Sequence, residues 1–278
     1  MLGSFEAAED HVQEVFLRAW RSRDAFEQRS SARTWLYRIA TNVCLDTLRR
    51  PAPALQPYPD ELLDERPGPD ALAVDRETIS LAFLAAIQVL PARQRAVLML
   101  RDLLSMSADE TAEILDTTTP AVNSALRRAR AALRERWPGG RLEWAPVSEP
   151  DADQRELVRR YIDAHESADP SALIELLRDD VRLSIEPRVG SWHGKDRVAP
   201  ALRRDMMSEG SWRMLPTAAN RQPAVAAYIL RPGDTQFRAF VLILLRVSRG
   251  SVVAMDVFET PQLFGAFGLP SVLGTPGA

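Results

Sequence analysis

The chain has 278 residues, 46% of them hydrophobic, and a formal net charge of −3. That is long enough for two or three domains with real cores, and it excludes a protein that is basic over its whole surface. No apolar run is long enough to span a bilayer and no signal peptide is seen, so the sequence predicts a cytoplasmic protein with no membrane partner. A single cysteine, Cys44, excludes an internal disulfide framework.

Local charge says more than the total. Lys195 is the only lysine, so arginine content by itself carries little information about nucleic acid. Residues 18–50 nevertheless carry a net +5, residues 60–77 a net −5 and residues 127–136 a net +4. Two basic blocks suited to phosphate flank an acidic one that should avoid it.

The first predicted element is a helix over 7–22. Val12, Val15, Phe16, Ala19 and Trp20 form its inner face, with Asp10, Gln13, Glu14 and Arg18 on the others. A polar joint over 24–31 leads to a second helix over 31–50, with a core stripe of Leu36, Ile39, Ala40, Val43 and Cys44. Trp35, Arg38 and Asn42 make a different stripe, with Tyr37 nearby. Next to Arg33, Arg49 and Arg50, that row suits single-stranded DNA: bases stack on aromatics while arginines hold the backbone, at roughly 1–3 kcal/mol per stacked base. The competing reading puts Trp35 in a core and leaves the rest solvated.

Residues 51–69 are rich in Pro, Asp and Glu, have no period, and read as a stiff acidic linker. Helices resume near Asp70, and 81–90 and 93–104 form two more, broken at Pro91. The next stretch, 105–133, reads as two short helices with a tight joint. Ser107 and Glu110 form a capping-box pair at the start of the first. Thr118 or Thr119 caps the second, with Pro120 near its first position. Ala121, Val122, Ala125, Leu126, Ala129 and Leu133 face inward. Thr119, Asn123, Ser124, Arg127, Arg128 and Arg130 are left to read DNA, a pattern suited to the major groove. A solvated amphipathic hairpin is the bland alternative. Trp137 to Gly140 ends this unit and 143–150 is a second linker.

The remainder changes character. A helix over 154–167 has Leu157, Val158, Tyr161, Ile162 and His165 inside, and Pro170 starts another helix ending near Arg178. Strands follow at 181–185, 213–218, 224–230, 238–247 and 252–258, with a helix over 194–207 and turns at 231–234 and 248–251. Helices followed by a curved antiparallel sheet predict an α+β domain. The apolar tail over 258–273 belongs on its own sheet or against the helical domains. Asp163, His165, Glu186, His193, Asp196, Asp256 and Glu259 are the ionisable candidates for an interior site. His165 on an apolar face reads as a core residue and His193 as loop. No metal-ligand spacing, phosphate loop or nucleophile motif appears, which predicts no cofactor, no metal, no catalytic residue and no enzyme.

Three stretches together resemble the extracytoplasmic-function (ECF) class of sigma-70 type sigma factors. They are AEDHVQEVFLRAWRSRDAF with SSARTWLYRIATNVCLDTLRR, and then LPARQRAVLMLRDLLSMSADETAEILDTTTPAVNSALRRARAAL. The remainder, on LVRRYIDAHESADPSALIELLRDDVRLSIEP, WHGKDRV and VVAMDVFETPQLFGAFGLP, resembles a SnoaL-like domain, the cone-shaped relative of nuclear transport factor two. The resemblance implies a multidomain protein. All-α σ2 (1–50, without its first helix) and σ4 (77–137, helix-turn-helix) domains are joined by the acidic linker 51–76. A linker at 138–153 leads to an α+β SnoaL-like domain at 154–273. It implies core RNA polymerase and promoter DNA as partners. Asp10, Gln13 and Glu14 would grip the polymerase clamp, Arg33, Trp35, Tyr37, Arg38, Asn42 and Arg49 would open the minus-ten element, and the second σ4 helix would read the minus-thirty-five element. The acidic linker would cross the polymerase cleft toward the RNA exit path, as a mimic of a phosphate chain. The SnoaL-like domain would modulate activity and leaves room for a small-molecule ligand. The alternative is a ligand-sensing or isomerase-like domain fused to a DNA-binding module.

Overall fold

Helix α1 (Phe5–Arg21) begins where the Ser4 hydroxyl accepts the Ala7 N–H, and α2 (Ala32–Thr47) begins where Ser31 accepts the Thr34 N–H. These belong to a computed structural model that describes residues 1–26, 31–49, 54–62, 87–136, 152–186, 190–206 and 210–275. The chain divides into two compact units: Met1–Gln56 with Glu65–Pro146, and Pro57–Asp64 with Val147–Ala278. The expected helical start near Asp70 and the 138–150 joint lie outside the described residues.

In the first unit α1 packs on α2, with Phe5, Ala19, Thr34, Thr41 and Val43 buried. Pro91 stops the preceding turn, and α3 (Ala92–Leu98) follows it and runs into a π-helical turn over Met99–Leu103. Next come α4 (Ala108–Ile114) and α5 (Thr119–Arg136). Their shared core is Ala96, Leu98, Leu115, Val122, Leu126, Ala129 and Leu133, all buried. Arg95 is buried beside it and donates to the carbonyls of Met1 at 2.8 Å and Gln88 at 2.8 Å and to Gln88 Oε1 at 2.7 Å. A buried guanidinium is tolerable because those acceptors replace water.

The α1 face differs from expectation. Ala19 is buried, but Val12, Phe16 and Trp20 are 55%, 64% and 68% exposed. The periodicity marks an apolar stripe correctly, yet in this unit the stripe lies on open surface.

The second unit is a curved sheet with helices. Helix α6 (Ala152–Glu166) buries Leu157, Val158, Tyr161 and His165, and the Asp169 carboxylate caps α7 (Pro170–Glu175) by accepting the Ser171 and Ala172 N–H groups. Strands β1 (Leu177–Glu186), β2 (Gly190–His193), β3 (Ser211–Ala219), β4 (Gln222–Leu230), β5 (Gln236–Ser248) and β6 (Ser251–Phe258) lie in the order β2-β1-β6-β5-β4-β3, with α8 (Lys195–Met206) between β2 and β3. All neighbours are antiparallel except β1 and β6. Register shifts at Ala227/Tyr228 and Arg246/Val247 bend the sheet. Helix α7 ends at Glu175, so β1 starts earlier than the alternation suggests, and His193 is in β2 opposite Arg182 and not in a loop.

The tail settles on its own sheet. A 3-10 turn over Pro261–Phe267 buries Leu263, Phe264 and Phe267, and the Tyr228 hydroxyl donates to the Pro270 carbonyl at 2.9 Å. Strand β7 (Val272–Gly274) then pairs with β5. The expected acidic linker is also partly built into this unit. Tyr58 N–H donates to Asn220 Oδ1 at 2.9 Å, Asn220 N–H donates back to the Tyr58 carbonyl at 2.9 Å, and Arg221 N–H donates to Asp60 Oδ1 at 2.7 Å. Pro59 forms a β-bridge with Ala219, and Asp60–Leu62 closes in a 3-10 turn. Asn220 and Arg221 reach these positions because both adopt left-handed backbone, φ 53° and 55°, at the β3–β4 hairpin tip.

Candidate nucleic-acid interface and the cavity of the sheet domain

The helix-turn-helix is built from local signals. Ser107 accepts the Glu110 N–H while Glu110 accepts the Ser107 N–H, the reciprocal capping box, and these bonds hold the Glu110 carboxyl below its ordinary range. Asp116 turns the chain in left-handed conformation, φ 48°. Thr118 Oγ1 then accepts the Ala121 N–H, so Thr118 caps α5 and Thr119 is its first residue. Val122, Leu126, Ala129 and Leu133 point into the core, while Ala121 is exposed, contrary to the inward face expected of it.

Arg101, Asn123, Leu126, Arg127, Arg130 and Arg134 line one groove of about 400 Å³ along α5. Asn123, Arg127 and Arg134 are exposed there, as is Arg128 outside the groove; Ser124 is half-buried. Two expected DNA contacts already have partners. Arg130 forks onto Asp102, Nε to Oδ2 at 3.0 Å and Nη2 to Oδ1 at 2.6 Å, which raises the Arg130 pKa and ties α5 to the π-turn. Thr119 Oγ1 donates to Asp109 Oδ1 at 2.7 Å. Arg101 was missed by sequence reading. It precedes the helix pair in the chain, and its Nη1 donates to the Met106 carbonyl at the joint.

The α2 row is split by the fold. Arg38, Asn42 and Arg49 are exposed. Trp35 is half-buried, its ring 5.1 Å from that of Phe26. Tyr37 packs against the Val97–Leu133 core and not outward. Arg33 lies 5.7 Å over the Tyr37 ring and donates to the Leu104 carbonyl at 3.5 Å. Tyr37 comes two residues after Trp35 and so points about 200° away from it on the helix, and here that direction meets α3 to α5. On α1, Asp10 and Gln13 are exposed, and Glu14 is bridged to Arg18 at 2.6 Å, which holds the Glu14 carboxyl low.

In the second unit a cavity of about 370 Å³ opens between α6, α8 and the sheet. Its buried walls include Tyr161, His165, Leu202, Trp212, Met214, Val241 and Met255, and Asp205, Arg204, Glu259, Trp192 and Phe240 also line it. His165 is 2% exposed, and burial pushes its pKa down to about 4, so it is neutral. The His165 ring stacks toward Tyr161 and meets Trp212 edge-on at 5.3 Å. Neither His165 Nδ1 nor Trp212 Nε1 has a hydrogen-bond partner. Burial and the nearby Glu259 push the Asp205 carboxyl up. Of the sequence candidates, His165 and Glu259 therefore reach the cavity. Asp256 lies on the other face of the sheet, 2.5 Å from the Ser184 hydroxyl and 3.9 Å from both Arg182 and Arg246.

Comparison with known proteins agrees with this architecture. Residues 1–52 match the Sigma-70 region 2 family, residues 80–133 the Sigma-70 region 4 family and residues 158–255 the SnoaL-like domain family. The chain is similar to the ECF RNA polymerase sigma factor SigG of Mycobacterium tuberculosis, 37% identical over 98% of this chain and 80% of SigG. It is 34% identical to the ECF RNA polymerase sigma factor SigW of Bacillus subtilis over 49% of this chain and 78% of SigW. The crystal structure of the M. tuberculosis sigma factor SigJ shares the fold, with TM-score 0.63 and 23% identity over 97% of this chain and 93% of SigJ. The chain belongs to the extracytoplasmic-function family of RNA polymerase sigma factors. It is a transcription initiation factor and not an enzyme, with helical sigma regions followed by an α+β SnoaL-like domain. Among the described residues, no helix is long and apolar enough to cross a membrane.

Proposed function

We propose that this sigma factor works in the cytoplasm, bringing core RNA polymerase to promoters through σ2 at 1–50 and σ4 at 77–137, and that the domain at 154–273 sets how much of it is active. The observation that carries the reading is the capped α4–α5 pair with Asn123, Arg127 and Arg134 along one exposed groove. Asn and Arg are the side chains that reach adenine and guanine edges bidentately. Asn123, Ser124, Arg127 and Arg128 are assigned to base edges. Thr119 and Arg130 keep only their unshared hydrogen-bonding capacity for DNA. Arg38, Asn42, Arg49 and the exposed edge of Trp35 are assigned to the minus-ten strand. Arg33 and Tyr37 would join them only by leaving the contacts described above. The exposed Phe16–Trp20 stripe beside Asp10, Gln13 and Glu14 offers a partner helix both an apolar track and acidic anchors.

Modulation follows from exclusion. Residues 57–62 cannot lie on Asn220 and Arg221 and at the same time run through a polymerase channel. The cavity supports a small-molecule ligand as the input. Run-off transcription with purified core polymerase tests both parts, comparing the full chain with one ending at Trp137. Promoter-dependent transcript from both, in different yield, is the expected result. No transcript from either defeats the sigma reading, and equal yields defeat the modulation.

A further inference from the structure

We infer that Asp102 is a specificity-determining residue of the groove along α5: it holds Arg130 so that the free edge of the guanidinium reads a guanine and does not clasp a phosphate. This rests on the assignment of that groove to promoter DNA above and adds the residue that decides what Arg130 recognises.

Asn123, Arg127, Arg130 and Arg134 recur at spacings of four, three and four, so they form one row along α5, and all four line the groove. Arg130 stands seven residues past Asn123, about 10 Å along the helix. A recognition helix reads base edges over a span of that length, so Arg130 is within reach of them.

Asp102 is set in place by two departures from regular helix. Met99–Leu103 is a π-helical turn, closed where the Leu104 N–H donates to the Met99 carbonyl at 3.0 Å. Ser105 follows in left-handed backbone, φ 50°. Both are uncommon, and the second is unfavourable for a residue other than glycine. They bring Asp102 against a residue 28 positions further on, and its carboxylate accepts from Arg130 Nε at 3.0 Å and Nη2 at 2.6 Å. The Asp102 side chain is 14% exposed and that of Arg130 43%, so the acid is the buried anchor and the guanidinium is the group left facing solvent.

A guanidinium has five N–H groups, and this pair uses the one on Nε and one on Nη2. What remains is the edge between Nη1 and Nη2, a second fork whose plane Asp102 fixes. Guanine O6 and N7 are two neutral acceptors side by side, and such a fork fits them. A phosphate also fits the fork, but the Asp102–Arg130 pair has no net charge, and a phosphate there would lie close to the Asp102 carboxylate. Like-charge repulsion then offsets much of the gain. A neutral guanine edge meets no such repulsion.

The test uses the full chain and random duplexes of about 30 base pairs, first in a selection read by sequencing and then in a titration from about 50 to 200 mM salt. Asp102→Asn leaves Arg130 unneutralised and free to swing. It should bind the random pool about fifteenfold more tightly at the low salt and about fourfold at the high salt, the worth of one further phosphate contact. It should also lose discrimination for guanine at one position. Asp102→Asn combined with Arg130→Gln keeps the local charge at zero and removes the fork. It should keep the parent's salt slope while losing a guanine preference of about fivefold or more at that same position. Melting temperature reports whether each variant folds, and either one that folds decides. A flatter salt slope in the double variant with unchanged base preference would place Arg130 on phosphate and overturn the inference. A single variant that binds and selects as the parent does would overturn it too, and in both cases the groove would still be the DNA interface. A parent chain that neither binds the pool in a salt-dependent way nor selects a sequence would defeat the assignment of the groove to DNA itself.

Discussion

Residues 57–62 should be released from the sheet domain by a single change at Asn220. The Asn220 side chain is 1% exposed, and its Oδ1 accepts the Tyr58 N–H at 2.9 Å. Asn220→Gly removes that acceptor but keeps a residue at ease at φ 53°. Tyr58 is half-buried, so water can replace part of the loss, and the cost should fall near the low end for a stranded donor, about 1 kcal/mol. That is roughly a fivefold rise in local opening, read as faster amide hydrogen exchange over 57–62. Asn220→Ala removes the same acceptor and should open the segment by about the same factor, while its left-handed strain of about 1 kcal/mol falls on the β3–β4 hairpin in both states and lowers the stability of the sheet domain instead. Asp60→Asn is the counter-test. Burial pushes the Asp60 carboxyl up, so the attached state binds a proton more readily than the released state. Attachment is therefore strongest below the ordinary Asp pKa and weakens as pH rises through the raised one. An amide at position 60 keeps the oxygen acceptor for the Arg221 N–H without the buried charge, and should hold the segment at least as well at neutral pH. Unchanged exchange in both Asn220 variants would show that side chain is not what holds the segment.

Arg127→Ala should cost about 1–3 kcal/mol of promoter affinity and relax preference at one base position, measured by gel-shift titration against a set of single-base variants. Equal weakening on every sequence would move Arg127 to the phosphate backbone. His165 sets an acid limit on the sheet domain: its pKa is down at about 4 in the fold and near 6.5 when unfolded, so the unfolded chain takes up the proton first. Stability is then complete above pH 6.5 and falls on acidification toward pH 4, by about 3 kcal/mol in all and about 2 kcal/mol by pH 5. Calorimetry between pH 7 and 5 should show that slope in the parent and not in His165→Phe; the same slope in both would assign it elsewhere.

Much of the helix-turn-helix was legible because its signals are local. The Ser107–Glu110 pair, Pro91, the threonines before Pro120 and the Val122–Leu133 spacing act within one or two turns, and the structure uses each of them. Elements whose meaning depends on a distant partner were not. Val12, Phe16 and Trp20 are apolar at helical spacing, but periodicity does not say whether anything covers them. Tyr37 looked like part of a DNA-facing row because its neighbours do. Its burial is decided by α3 to α5, which lie more than fifty residues further along the chain. Pro57–Asp64 has the composition of a linker, and its bonds come from two left-handed residues about 160 positions away. The short strands β2 and β7, of four and three residues, are too brief for alternation to register. His165 was readable as buried, but the cavity at its side depends on the spacing of α6, α8 and six strands, which no single stretch encodes.

The cavity and the attached segment share one piece of structure. Strand β3 carries Trp212 and Met214 on the cavity wall, and β4 carries Ala227 opposite Met214. The same two strands run without a register shift from Ser211↔Leu230 to Ala219↔Gln222, and the segment is bonded at that far end. A ladder paired over nine residues has little freedom to change twist at one end alone. The register shift that does occur lies on the other side of β4, against β5, between Ala227 and Tyr228. Spatial continuity of this kind is a route, and a route alone moves no equilibrium. An occupant that fits equally well with residues 57–62 attached or released shifts nothing, however tightly it binds. One that prefers the released state by some factor must itself be bound more tightly, by the same factor, when the segment is off. The hairpin is thus the element on which ligand and linker would act on each other, and Asn220 is the residue at which that exchange can be altered without touching the cavity.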